Sequence, residues 1–181
     1  TNGIWVRDWG PIGIVDKPTT GKAKVSFVDF RYYHTRPYDD EAPTSLAKEW
    51  GVNVFRPDLD FEPGNFMNTT DGLCPATKGV LNYNLQFSQS AIEQIFKDYL
   101  ACKKILFPAP MTGGVIAHID MFSKFSSDTT MIVGEYTTTQ HAGNKKILDA
   151  NAALFSTTPT PSAKKITVTR IPMPDIGKKG T

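Results

Sequence analysis

The order strand, strand, helix, strand runs three times along the chain, and this internal repeat constrains the fold more than any other feature. In the first round "IWVRDWGPIGIVD" and "KAKVSFVDFRYY" read as two strands, because β-branched and aromatic residues fill both and the turn "KPTTG" separates them as in a hairpin. The loop "HTRPYDDEAP" follows, then a helix over "TSLAKEWG" with Thr44 or Ser45 as its cap and Gly51 as its stop, and then the strand "VNVF". In the second round "EPGNFMN" and "GLCPATKGVLNYN" are extended. "SQSAIEQIFKDYLAC" is an amphipathic helix with Ile92, Ile95, Phe96 and Tyr99 on one face, and "KKILFP" is a strand. The third round has "VIAHIDMFSKF" and "TTMIVGEY" joined by the turn "SSD", the helix "NKKILDANAALF" and the strand "KITVTRI". The units run roughly 1–57, 58–110 and 111–172 within a single α/β domain.

Polar groups recur in register with the repeat. Asp8 is followed 54 residues later by Glu62 and a further 56 residues on by His118, each at the first strand of its own unit. Units arranged about a pseudo-symmetry axis bring Asp8, Glu62 with Asn65, and His118 with Asp120 to one central place. On a strand, His118 and Asp120 point to the same face. Carboxylates gathered in one pocket repel each other unless a cation lies among them, and a planar guanidinium offers a fork of N–H donors that two carboxylates can grip. An imidazole beside them moves protons near neutral pH.

"WVRDWGP", "DFEPGNFM" and "AHIDMFSKF", in this order and spacing, resemble the bacterial (Porphyromonas-type) peptidylarginine deiminase and agmatine deiminase family of the guanidine-modifying pentein superfamily, over nearly the whole chain. The resemblance implies a pentein-type α/β propeller of five strand-strand-helix-strand units. At roughly 55 residues per unit about three are present, so the chain is expected to be a central fragment. It also implies a C–N hydrolase, in which a cysteine attacks the guanidinium carbon, ammonia leaves, and water releases the ureido product from a thiouronium intermediate. Carried over by position, Asp8 resembles the first guanidinium-binding carboxylate, Asp120 the second, and His118 the general acid/base. Glu62 fits the acidic position of an E-G-G-N type motif, where it orients His118, although Pro63 replaces the first glycine. Asn65 and Trp5 are expected beside the substrate; Trp5, like Trp9, reads first as a packing residue, and an aromatic there also suits a cation.

Two further features bear on the substrate. Arg36 in "TRPYDD" matches an arginine of the family's R-P-x-D loop that holds a substrate carboxylate, with His34 standing where a second would be. This favours peptidyl or free arginine, with agmatine as the alternative. The family's nucleophile lies in a G-x-x-H-C stretch that has no counterpart here, so it is expected outside this chain. A catalytically dead pentein that binds cationic ligands is the reading from another class.

Composition removes other classes. The 181 residues are 40% hydrophobic and 21% charged, enough for a sizeable core, and the net charge of +2 comes with no basic run interleaved with aromatics for nucleic acid. No stretch approaches the roughly eighteen apolar residues of a membrane span, and the start lacks the pattern of a signal peptide. A soluble protein, cytoplasmic or secreted and of open oligomeric state, is expected. Cys74 and Cys102 are too few for a disulfide framework, lack metal-ligand spacing, and read as packing residues. No cofactor or metal is expected, although Asp8, His118 and Asp120 have the donor types that bind zinc or iron.

Overall fold

The computed structural model describes residues 1–16, 19–113, 116–137 and 141–174. Lys17 and Pro18 of the first turn, Val115 of the third unit and the tail after residue 174 lie outside them. Helix α1 spans Val6–Trp9, strands β1 and β2 span Ile12–Asp16 and Lys24–Val28, helix α2 spans Pro37–Trp50 and β3 spans Asn53–Phe55. Next come β4 (Leu73–Pro75), α3 (Gly79–Tyr83), α4 (Gln89–Leu100) and β5 (Lys104–Leu106). The chain then runs through β6 (Ser123–Ser127), β7 (Thr130–Glu135), α5 (Ala142–Thr157) and β8 (Thr167–Pro172).

The sheets share one pattern. β1 pairs antiparallel with β2, which pairs parallel with β3. β6, β7 and β8 repeat that order. In the middle unit β4 pairs parallel with β5, and the extended Met67 and Thr69 donate N–H bonds to the carbonyls of Pro75 and Leu73 at 3.2 and 3.0 Å. Residues 67–69 thus occupy the place of a first strand. Each parallel pair is bridged by a helix, the connection that parallel neighbours require.

Helix α4 carries the expected face. Ser88 caps it by accepting the Ala91 N–H at 3.2 Å. Ile92 and Phe96 are fully buried, with Ile95 and Tyr99 partly buried against the same cluster. Phe96 meets Phe30, Phe61 and Phe66 with ring centroids 6.5, 5.0 and 6.0 Å apart. Each such side chain contributes about 1.5–3 kcal/mol on burial. A second cluster, including Leu73, Met131, Leu148 and Phe155, lies under the third sheet.

Four local expectations are corrected. The run around Asp8 is not a strand: β2 ends its pairing with Val28 opposite Ile12, and Arg31 beyond it bonds to Leu59 and Phe61 instead. Residues before Ile12 therefore have no partner and coil into α1, with Ile4, Trp5 and Val6 exposed. Helix α2 begins at Pro37 rather than Thr44, because Pro37 starts a helix without losing a bond and Asp39 and Asp40 complement the first turn. Thr44 instead donates to Asp29 Oδ2 at 2.7 Å, while Gly51 stops the helix at φ 64° as expected. Segments read as extended at 63–65 and 79–83 are a 3₁₀ turn and α3, and His118 precedes a second 3₁₀ turn, Ile119–Met121. Finally, Cys74 and Cys102 form a disulfide. β4 and the segment after α4 are adjacent, which brings the two Cα atoms to 5.8 Å, within the range a disulfide spans.

Candidate active site

His118 stands between two carboxylates from two other units. Its Nδ1 lies 3.3 Å from Asp8 Oδ1 and its Nε2 lies 3.2 Å from Glu62 Oε2. The histidine is 3% exposed, Glu62 8% and Asp8 9%. Burial alone lowers an imidazole pKa, but contact with Asp8 and then Glu62 overrides it and pushes His118 up to about 9. The cation that these carboxylates embrace is thus the imidazolium itself. At these distances the contacts are charge contacts, since neither ring nitrogen makes a well-aligned hydrogen bond among the described residues.

The turns that carry the three groups are built for close approach. Asp8 sits in α1, whose Gly10 N–H closes onto Val6 O at 2.7 Å. Glu62 and His118 each stand directly before a 3₁₀ turn in extended conformation. A Cβ on Gly64 would lie 2.6 Å from both Asp8 Oδ1 and His118 Nδ1, so the glycine of the E-P-G-N sequence is required by contact. Pro63 replaces the other glycine without disturbing the turn, because it occupies the first helical position.

A cavity of about 500 Å³ opens onto Glu62, Asn65 and His118. Tyr32, Tyr33, Phe61, Val80 and Tyr83 form much of its wall. The Tyr33 hydroxyl donates to Glu62 Oε1 at 2.5 Å, and burial followed by the Glu62 bond holds its pKa well above the ordinary tyrosine value. Arg31, His34, Asp40 and Asp60 also line the cavity. Arg31 donates from Nε to Asp60 at 2.9 Å and from Nη1 to Asp58.

The remaining expected residues are placed differently. Asp120 is not on one strand face with His118; it follows in the 3₁₀ turn, exposed. Its carboxyl pKa is nonetheless raised by the protein around it, with His118 opposing and Asp8 adding to the rise, so it shares their field. Asn65 lines the cavity, but its Oδ1 is taken by the N–H groups of Thr77 and Ile119 at 2.8 and 3.2 Å. Arg36 is not among the residues lining the cavity: as the N-cap of α2 it lies behind Tyr33, its guanidinium carbon 6.0 Å from that ring and Nη1 3.5 Å from the Tyr32 hydroxyl. Trp5 is exposed beside α1.

Arg31, Tyr33 and Thr77 escaped the sequence reading. The pair Tyr32–Tyr33 at the end of a strand path was the visible signal for the first two, whereas nothing in "CPATKG" distinguished Thr77. Asp8, Glu62 and His118 bring ligand-type atoms within 4.8 Å of one another. With a carboxylate against each ring nitrogen, the arrangement is that of a braced imidazolium.

Among known proteins, the model of the Porphyromonas-type peptidyl-arginine deiminase family matches residues 1–181. Agmatine deiminase of Enterococcus faecalis is similar in structure, with a TM-score of 0.83 and 21% identity over 94% of this chain and 50% of that one. Agmatine deiminase of C. jejuni has a TM-score of 0.75 and 20% identity over 97% of this chain and 50% of that one. A Porphyromonas gingivalis chain assigned as an arginine deiminase has a TM-score of 0.78 and 17% identity over 94% and 53%. At these identities the likeness is one of fold. That fold is the pentein-type α/β propeller, and the chain spans about half the length of the solved structures it matches.

Proposed function

Because the chain belongs to the Porphyromonas-type peptidyl-arginine deiminase family, we propose that its parent protein hydrolyses an arginine-type guanidinium to a ureido group and ammonia. The observation that carries this reading is His118, braced between Asp8 and Glu62 where the 500 Å³ cavity ends. Asp8, with Asp120, holds the planar guanidinium by charge-assisted bonds. The nucleophilic cysteine is assigned to residues outside these 181, a reading supported by the disulfide that joins both cysteines of the chain. Its thiolate adds to the guanidinium carbon, and the C–N bond breaks as His118 gives a proton to the departing nitrogen. His118 then takes a proton from the water that attacks the thiouronium carbon, and the C–S bond breaks to release the ureido product. Glu62 keeps the imidazole oriented throughout, and the aromatic wall packs along the substrate's methylenes.

The favoured substrate is arginine with a free carboxylate, as in a peptide that ends in arginine. Arg31 lines the cavity, and Arg36 lies next to Tyr33 and the Tyr32 hydroxyl. Agmatine is the second reading, favoured by the engagement of Arg31 with Asp58 and Asp60, which leaves it less free to take a carboxylate. A panel of a C-terminal-arginine peptide, free arginine and agmatine, given to the full-length protein and to Arg31→Ala and Arg36→Ala, separates them. A carboxylate reader loses roughly ten- to a hundred-fold in kcat/KM on the peptide when removed, with agmatine turnover unchanged. Wild-type preference for agmatine moves the assignment to agmatine deiminase, and no turnover of any of them leaves a pentein that only binds cations.

A further inference from the structure

The ring of His118 is held by charge contacts with Asp8 and Glu62 rather than by well-aligned hydrogen bonds, and such contacts do not set its place alone. The peptide groups on either side of it are fixed instead. Thr77, fully buried in the second unit, donates its hydroxyl to the carbonyl of Ala117 and accepts the Gly79 N–H at 3.2 Å. Asn65, 4% exposed, accepts the Ile119 N–H at 3.2 Å with the same oxygen that accepts the Thr77 N–H at 2.8 Å. The residue before the histidine and the residue after it are thus tethered by the side chains of Thr77 and Asn65, and the Asn65 oxygen also holds the Thr77 backbone. There is no slack around them: a Cβ on Gly79 would lie 2.7 Å from the Ala117 Cβ, and one on Gly64 would lie 2.6 Å from His118 Nδ1.

We propose that Thr77, with Asn65, is a positioning residue for His118, setting the imidazole between Asp8 and Glu62 by holding the backbone on both sides. The proposal deepens the deiminase reading, on which the catalytic consequence rests, but the placement of the ring is testable without turnover. Buried peptide groups that lose a partner cost enough to move the chain until they find another. Movement of the 117–119 backbone carries the ring out of the gap between the carboxylates, and its charge contacts weaken with distance. The assignment also accounts for Asn65, whose oxygen is committed to the backbone.

Nuclear magnetic resonance titration of His118 in the full-length protein tests this. Thr77→Ser keeps the hydroxyl and should titrate with wild type near pH 9, while the isosteric Thr77→Val should titrate at least about one unit lower, toward the ordinary histidine value. The same Val variant should lose ten-fold or more in kcat with little change in KM. Asn65→Ala, which frees the Ile119 N–H, reads the same displacement if Thr77→Val does not fold. An unmoved midpoint in whichever variant folds overturns the positioning role. A moved midpoint in a protein that turns over no guanidine keeps the role and rejects the deiminase reading.

The disulfide carries a second, independent inference. Cys74 is 0% and Cys102 3% exposed, and the bond joins β4 to the segment after α4 in the unit that bears Glu62, Asn65 and Thr77. Buried staples of this kind form where thiols give up two protons and two electrons to a thiol–disulfide oxidoreductase, and they are rare where glutathione keeps thiols reduced. We infer that the chain folds in an oxidising compartment outside the cytosol. Protein taken from its own cells, denatured in alkylating agent and weighed by mass spectrometry, should accept no label at Cys74 and Cys102 until it is reduced. Labelling of both before reduction overturns the inference.

Discussion

Replacing Glu62 with Gln removes one of the two charges on His118 while keeping the side chain's shape and its bond from Tyr33. The imidazole titrates at about 9 rather than the ordinary 6.5. The difference corresponds to about 3 kcal/mol. Asp8 and Glu62 stand at 3.3 and 3.2 Å, so both act on the ring at close range, and together they also offset burial, which acts in the opposite sense. Loss of Glu62's charge therefore removes a large part of the rise and brings the midpoint clearly down toward the ordinary histidine value. The pKa is raised on folding, so His118 contributes its full stabilisation below pH 6.5 and loses it as pH rises through 9. Wild type should thus lose up to about 3 kcal/mol of unfolding free energy across that window, and Glu62→Gln clearly less. Titration of the His118 ring resonances together with urea unfolding from pH 6 to 10 measures both quantities. A wild-type midpoint near 6.5, or a variant within about 0.3 units of wild type, would refute the bracing of His118 by Glu62.

Gly64→Ala should force Asp8 and His118 apart, because the new methyl meets both at 2.6 Å; the expected result is a lower His118 midpoint and a stability loss of about 1–3 kcal/mol in urea. Reducing the Cys74–Cys102 disulfide, which closes 28 residues, should lower the unfolding free energy by about 3–4 kcal/mol, read as a shift of the urea midpoint with and without reductant. Phe96→Ala, at the centre of the aromatic cluster, should cost about 3–5 kcal/mol in the same assay.

The repeat, the hairpins at both ends and the face of α4 were legible because each depends on local periodicity. So was the convergence of Asp8, Glu62 and His118, since residues at equivalent points of stacked units meet whatever their local conformation. The local conformations themselves were not legible. Residues 4–9 have the composition of a strand but no neighbour to pair with, and pairing is a tertiary fact. Asp120 shifted off the His118 face for the same reason, since alternation holds only on a strand and a 3₁₀ turn replaces it. Arg36 is not among the cavity's lining residues, and Pro37 begins a helix directly after it, so Arg36 is a helix cap rather than a loop residue. The disulfide escaped because two cysteines 28 residues apart reveal nothing of the contact between β4 and the end of α4.

Asp8 both contacts the histidine and is assigned to grip the guanidinium. The full-length protein and its Asp8→Asn variant should be given a peptide ending in arginine, with ureido product followed by mass spectrometry and binding by calorimetry. Wild type should release one ammonia per ureido group formed, while Asp8→Asn should form no product and bind the peptide at least about a hundred-fold more weakly, as a charge pair left half-made requires. Unchanged affinity and continued turnover in Asp8→Asn would contradict the assignment of this site.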